Sequence, residues 1–161
     1  MYLKHRIILL FCLFFSSCSF AHRPLLCKVV SISDGDTFTC LLKNHKSIRV
    51  RLANIDAPEK HQPFGTKAKQ VLAQLIYQQQ VKLNISGYDA YQRTLAVVYT
   101  AQGKNINLTL VKVGMAWAYE KYQPDEIYRR AQRHAQQQHL GLWQDAHPIS
   151  PEHWRKQKRI H

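Results

Sequence analysis

The sequence predicts an α+β domain, mainly β, built on five strands and three helices. Three observations predict it. Five short runs between residues 26 and 100 read as strands, two of them alternating apolar with polar residues. Helical spacing of apolar residues is confined to three stretches. The 161 residues, 45% of them hydrophobic, suffice for one core and exclude a wholly disordered basic chain.

The elements follow in order. Leu26 to Ile32 is apolar and β-rich, Asp34-Gly35-Asp36 breaks it, and Thr37 to Leu42 resumes, which is a hairpin signal. From Ser47 to Ile55, Ile48, Val50 and Leu52 alternate with Arg49 and Arg51, a third, half-buried strand ended by Pro58. Pro63 to Gly65 opens a helix whose Ala68, Val71, Leu72, Leu75 and Ile76 form one stripe facing a core. Val81 to Ile85 and Arg93 to Thr100 are strands four and five, with a loop from Gly87 to Gln92 between them. A short helix starts near Asn107, and Trp117 and Tyr119 follow in extended chain. Pro124, Asp125 and Glu126 start a last helix that runs to about His139. This order suggests a small, partly open barrel of the OB type, although several α+β folds share it.

The ends read differently. Residues 1–21 carry Lys4 and Arg6, nine uninterrupted apolar residues and a small-x-small site at Ser19-Phe20-Ala21, the pattern of a signal peptide. A competing route is lipidation, since Phe15-Ser16-Ser17-Cys18 looks like a lipobox with Cys18 as its modified residue and a membrane attachment. Either route places the protein outside the cytoplasm, secreted or periplasmic. Residues 22–143 form the domain, and residues 144–161 read as a partly ordered, solvated basic tail that strengthens phosphate binding. Cys27 and Cys40 remain after processing and flank the hairpin; a cross-strand bridge and two buried thiols are both open.

Charge narrows the function. The formal net charge of +13 implies a polyanionic partner: nucleic acid, anionic lipid or acidic glycan. Against that excess the chain keeps only ten acids, and five of them, Asp34, Asp36, Asp56, Glu59 and Asp89, fall in three short motifs near strand ends. Asp34 has a turn role available. Asp36, Asp56 and Glu59 together are oxygen donors of the kind that bind Ca²⁺ or Mg²⁺. Zinc ligand sets, a nucleophile elbow and a phosphate-binding P-loop are all missing from the sequence.

These residues carry a resemblance. Asp34-Gly35-Asp36-Thr37, then Arg51-Leu52-Ala53-Asn54-Ile55-Asp56-Ala57-Pro58-Glu59, then Asp89-Ala90-Tyr91-Gln92-Arg93 resemble, in order and spacing, the signature motifs of the staphylococcal-nuclease-like (thermonuclease) family. The likeness spans about residues 26–143. It implies a five-stranded OB-fold barrel with three helices and a Ca²⁺-dependent phosphodiesterase that hydrolyses DNA and RNA with low sequence specificity, leaving 3′-phosphate ends. By the same resemblance Asp36, Asp56 and the Ala57 carbonyl bind Ca²⁺, Glu59 orients or deprotonates the attacking water, and Arg51 and Arg93 grip the scissile phosphate. Tyr119 and Tyr122 resemble the aromatic pair that contacts the nucleotide, with packing or surface roles as the alternative.

Two departures stand out. Ala57 replaces a threonine, which a carbonyl ligand survives. Gln92 replaces a typical glycine, which strains the loop and threatens the placement of Arg93 if that position needs positive φ. Planar arginine donors suit phosphate oxygens better than lysine does, and a water, a base and positive charge are what phosphodiester hydrolysis requires. The second hypothesis is a catalytically inactive nucleic-acid-binding OB module, but the carboxylates and both arginines are all in place. A cationic envelope protein would explain the charge and not the acids. The expected assembly state is a monomer.

Overall fold

The computed structural model describes residues 24–122 and 124–158. The expected signal peptide and Cys18 therefore lie outside the described residues. Five strands form a closed barrel: β1 (Leu25–Ile32), β2 (Thr37–Leu42), β3 (Ser47–Leu52), β5 (Gln80–Tyr88) and β6 (Thr94–Thr100), in the order β1-β2-β3-β6-β5. The barrel is closed rather than partly open. Its closure comes from β5 beginning at Gln80, which lets Gln80, Val81, Lys82 and Leu83 pair with Lys28, Cys27, Leu26 and Leu25 of β1. All neighbours run antiparallel except β3 and β6, which are parallel with Arg51 opposite Leu95.

The single strand expected from Ser47 to Ile55 splits in two. Asn54 turns the chain with φ +66°, and β4 (Ile55–Asp56) leaves the barrel to pair with β7 (Trp117–Ala118). Asn and Asp are the non-glycine residues that enter this region most readily.

The inward side chains of the barrel, Val29, Phe38, Val50, Leu52, Val81 and Val98, are fully buried. Helix α1 (Gly65–Ile76) covers one end with Ala68, Leu72 and Ile76, three of its five predicted stripe residues; Val71 and Leu75 are partly buried against the same core. Helix α2 (Ile106–Lys112) starts at a side-chain cap, where Asn105 Oδ1 accepts from Leu108 N at 3.0 Å. Its Asn107 is fully buried, and its side chain bonds to backbone: Val98 N donates to Oδ1 at 3.0 Å, and Nδ2 donates to Ala53 O and Ala96 O at 2.9 and 3.0 Å. One side chain thus ties the exit of β3 to β6.

Helix α3 (Glu126–Gln137) packs on α2, and a smaller cluster of Ala135, Leu142 and Trp143 closes the far side against Phe64 and Trp117. Cys27 and Cys40 form a disulfide across β1 and β2, with Cα atoms 5.6 Å apart. A loop of this size gives about 3 kcal/mol in the chain-entropy account.

The tail departs from expectation. Residues 151–158 form a fourth helix, α4 (Pro151–Lys158), docked on the domain instead of extending into solvent. Pro151 is buried, and upstream Gln62 Nε2 donates to Ile149 O at 2.6 Å. No described helix is long and apolar enough to cross a membrane.

Candidate active site

The parallel register of β3 and β6 determines where the site lies. Arg51 is next to last in β3 and Arg93 directly precedes β6, so parallel pairing brings both arginines to one end of the barrel. The turn from β1 to β2 brings Asp36 to that end, where Leu52 N donates to Asp36 O at 2.9 Å. The turn is tight because Gly35 has no side chain: a Cβ there would lie 2.7 Å from both the Ala57 and Ala68 Cβ atoms.

Arg51 is the centre of the charged group. Its Nη2 lies 2.9 Å from Asp56 Oδ1 and 3.4 Å from Asp36 Oδ2, with the arginine side chain 8% exposed. Asp36 Oδ2 also accepts from Ala57 N at 3.2 Å, and Asp36 Oδ1 accepts from the Thr37 hydroxyl at 2.9 Å. The Ala57 backbone therefore sits directly against Asp36. The Arg51 guanidinium lies 5.6 Å from the Tyr119 ring centroid.

Arg93 joins through Thr37. Its Nη1 donates to Thr37 Oγ1 at 3.3 Å, while its Nε donates to Asp89 Oδ2 at 2.7 Å. Asp89 Oδ1 caps the loop by accepting from Tyr91 N and Arg93 N at 2.9 and 3.0 Å. Gln92 has φ +59°, the left-handed conformation that strains a non-glycine residue, and Arg93 beside it contacts Asp89 and Thr37.

Glu59 lies on the loop before α1, where Gln62 Oε1 accepts from its N–H at 3.0 Å. Its side chain is 39% exposed and so meets solvent directly. The loop folds onto the start of α1: a Cβ on Gly65 would lie 1.9 Å from Glu59 O, which only glycine allows.

The carboxyls differ electrostatically. Burial, reinforced by the charge of Asp36, pushes Asp34 up to about 6. Burial also pushes Asp56 up, against the pull of Arg155 and Arg51. Burial raises Asp89 too, but the Arg93 N–H, the Arg93 guanidinium and the Tyr91 N–H outweigh it and hold this carboxyl below its usual range.

The structure thus brings Asp36, Ala57, Asp56, Arg51 and Tyr119 into one contiguous group, with Arg93 attached through Thr37 and Glu59 beside it. The Tyr122 side chain lies outside the described residues. No group of three or more His, Cys, Asp or Glu side chains arranged to hold a metal ion occurs among the described residues. The available donors are the two aspartates and backbone oxygen.

The sequence reading assigns no site role to four participants. Thr37 and Asp89 stand in it only as members of the signature motifs. Tyr91 is 75% exposed with its ring centroid 5.5 Å from the Arg93 guanidinium, a contact that its spacing of two from Arg93 could have suggested. Arg155 of α4 reaches Asp56 and Glu59, and no local sequence pattern pointed to it.

Comparison with known proteins agrees with this geometry. Residues 49–145 match the staphylococcal nuclease homologue family. The chain is 57% identical over 145 residues to a Haemophilus influenzae protein named as an uncharacterized endonuclease, covering 90% of this chain and 80% of that one. It is 39% identical over 140 residues to an Escherichia coli protein also named as an uncharacterized endonuclease, covering 84% and 91%. A micrococcal nuclease of Shigella flexneri is 44% identical over 139 residues, covering 80% and 79%.

Proposed function

The chain belongs to the staphylococcal nuclease homologue family, and from that premise we propose that it is a Ca²⁺-dependent nuclease that hydrolyses DNA and RNA with low sequence preference. The observation that carries this reading is the convergence of two buried aspartates on one arginine, with a solvent-facing glutamate and a second arginine at the same end of the barrel.

The donor chemistry fits a hard cation. Asp36 Oδ2 and Asp56 Oδ1 both lie within 3.4 Å of a single nitrogen, Arg51 Nη2, so the two carboxylates face one point. Asp36, Asp56 and the Ala57 carbonyl hold the ion in this reading. When bound, Ca²⁺ supplies positive charge that offsets the carboxylates and draws in the phosphate.

The remaining steps belong to the chain's own side chains. Arg51 and Arg93 donate to the non-bridging oxygens of the scissile phosphate, which gain charge as water attacks phosphorus. Glu59 accepts the proton of that water, a role its solvent exposure supports. The bond from phosphorus to the 5′-oxygen breaks, that oxygen takes a proton from solvent, and the 3′-phosphate stays on the upstream fragment. Tyr119, beside Arg51, and Tyr122 contact the nucleotide.

We further place the protein in the secreted or periplasmic space, a reading that the Cys27–Cys40 disulfide supports because such bridges persist in oxidising compartments.

The test is degradation of DNA and of RNA by the purified protein with Ca²⁺, with Mg²⁺ and with chelator, alongside Glu59→Gln. Ca²⁺-dependent loss of both substrates, lowered roughly 100-fold or more by Glu59→Gln, is expected. Binding without cleavage under every condition would establish the inactive nucleic-acid-binding module in its place.

A further inference from the structure

The segment after the domain carries a cation to the centre of the site. Helix α4 starts after Ser150, whose hydroxyl lies 2.7 Å from His153 Nδ1 and accepts from His153 N at 3.3 Å. Within the helix, Lys156 pairs with Glu152 at 2.9 Å, and Lys158 lies 5.3 Å from the Trp154 ring centroid. Gln62 both donates to Ile149 O and accepts from Glu59 N, so one side chain ties the tail's approach to the loop that carries Glu59.

The helix is thereby aimed. Arg155 Nη2 lies 2.8 Å from Asp56 Oδ2, and Arg155 Nη1 lies 3.2 Å from Asp56 Oδ1 and 2.7 Å from Glu59 Oε1. These are charge-assisted, partly bidentate contacts made across 96 and 99 residues of sequence.

Resting on the metal reading above, we propose that Arg155 is an internal competitor for the divalent cation, and that Ca²⁺ loading displaces its guanidinium from Asp56 and Glu59. Asp56 Oδ1 already accepts from Arg51 at 2.9 Å, so Arg51 and Arg155 together engage both Asp56 oxygens. A carboxylate offers about four lone-pair positions, and these three bonds leave about one of them for a metal ion. The charges lead to the same conclusion. A divalent ion beside a retained guanidinium places like charges together around a carboxylate that is 2% exposed, where water screens little. Arg155 itself is 34% exposed and has a route to solvent, whereas Arg51 at 8% has little. The exchange therefore falls on Arg155. Its release also frees Glu59 to take a proton, so loading the ion and readying the base become one event.

The experiment titrates Ca²⁺ alone into the whole protein by calorimetry, without substrate. Arg155→Gln removes the charge and keeps a polar side chain; Lys156→Gln is the control on the same helix, 63% exposed and paired to Glu152. Arg155→Gln is expected to bind Ca²⁺ roughly tenfold or more tightly than the parent, as losing a charged hydrogen-bonding competitor implies. Lys156→Gln is expected to stay within about twofold. In the unaltered protein, Ca²⁺ is expected to speed tryptic cleavage after Arg155 and Lys156 as α4 lifts. Ca²⁺ binding that Arg155→Gln does not tighten, or tryptic cleavage that Ca²⁺ leaves unchanged, would overturn the competitor role while leaving the metal site standing. No Ca²⁺ binding by any of the three proteins would overturn the metal site and the competitor with it.

Discussion

Arg51 and Arg93 share one proposed task and live in opposite settings. Arg51 is on a barrel strand, 8% exposed, and faces Asp56 across the turn that leaves its own strand and Asp36 from the turn before the neighbouring strand. Arg93 is on a loop, 21% exposed, and its acid, Asp89, is four residues away in the same loop. The first is held by tertiary structure, the second by a local clamp. Losing Arg51 should therefore harm fold and function together, while losing Arg93 should harm function alone.

The largest expected effect is that of Arg51→Ala. It leaves Asp36 and Asp56 buried without their shared partner, and breaking such a pair costs about 3 kcal/mol or more. Chemical denaturation should show that loss, with activity falling below detection. Next comes Arg93→Ala, expected to lower kcat about 100-fold, as for loss of one charged phosphate donor, with the denaturation midpoint nearly unchanged. A midpoint drop as large as that of Arg51→Ala would erase the contrast between the two arginines.

How much of this was legible in the sequence follows the same division. The strand faces were readable because Ile48, Val50 and Leu52 alternate with Arg49 and Arg51, and the barrel buries Val50 and Leu52. The acids and arginines of the site were readable because they sit in short runs with characteristic spacing. What escaped depends on distance along the chain. Closure of the barrel needs Leu25 beside Leu83. The break after Leu52 depends on β7, far along the chain, offering Trp117 to Asp56. Arg155 belongs to a run of basic residues that resembles any solvated tail, and only the folded domain shows which of them meets an acid. Ser150 followed by Pro151 fits a helix start, a signal that the reading of residues 144–161 as a basic tail does not use.

Acid separates the two arginine settings more gently. The folded value of Asp89 is depressed, so the stability it contributes is present above the ordinary carboxylate value and is lost as pH falls through the folded value. Asp34, at about 6 in the fold, has the opposite sign: its proton is bound more tightly when folded, and stability is gained as pH falls through about 6. Protection factors of the Tyr91 and Arg93 amides should fall below about pH 4, as the loop clamp opens, while the turn at Asp34 tightens between pH 6 and pH 4. The smallest effect is expected for Gln92→Gly. It removes a left-handed strain of about 1 kcal/mol at φ +59° and should raise the melting temperature by a few degrees without altering the Arg93 contacts.

The parallel pairing of β3 with β6 also bears on the making of the protein. Synthesis reaches Asp36, Arg51, Asp56 and Glu59 early, yet the strand that sits beside Arg51 begins only at Thr94. A chain still growing on the ribosome thus holds the acids with neither the second arginine nor the wall that supports the first. The group of acids and arginines is completed only when the second half of the chain has been made and has paired with the first.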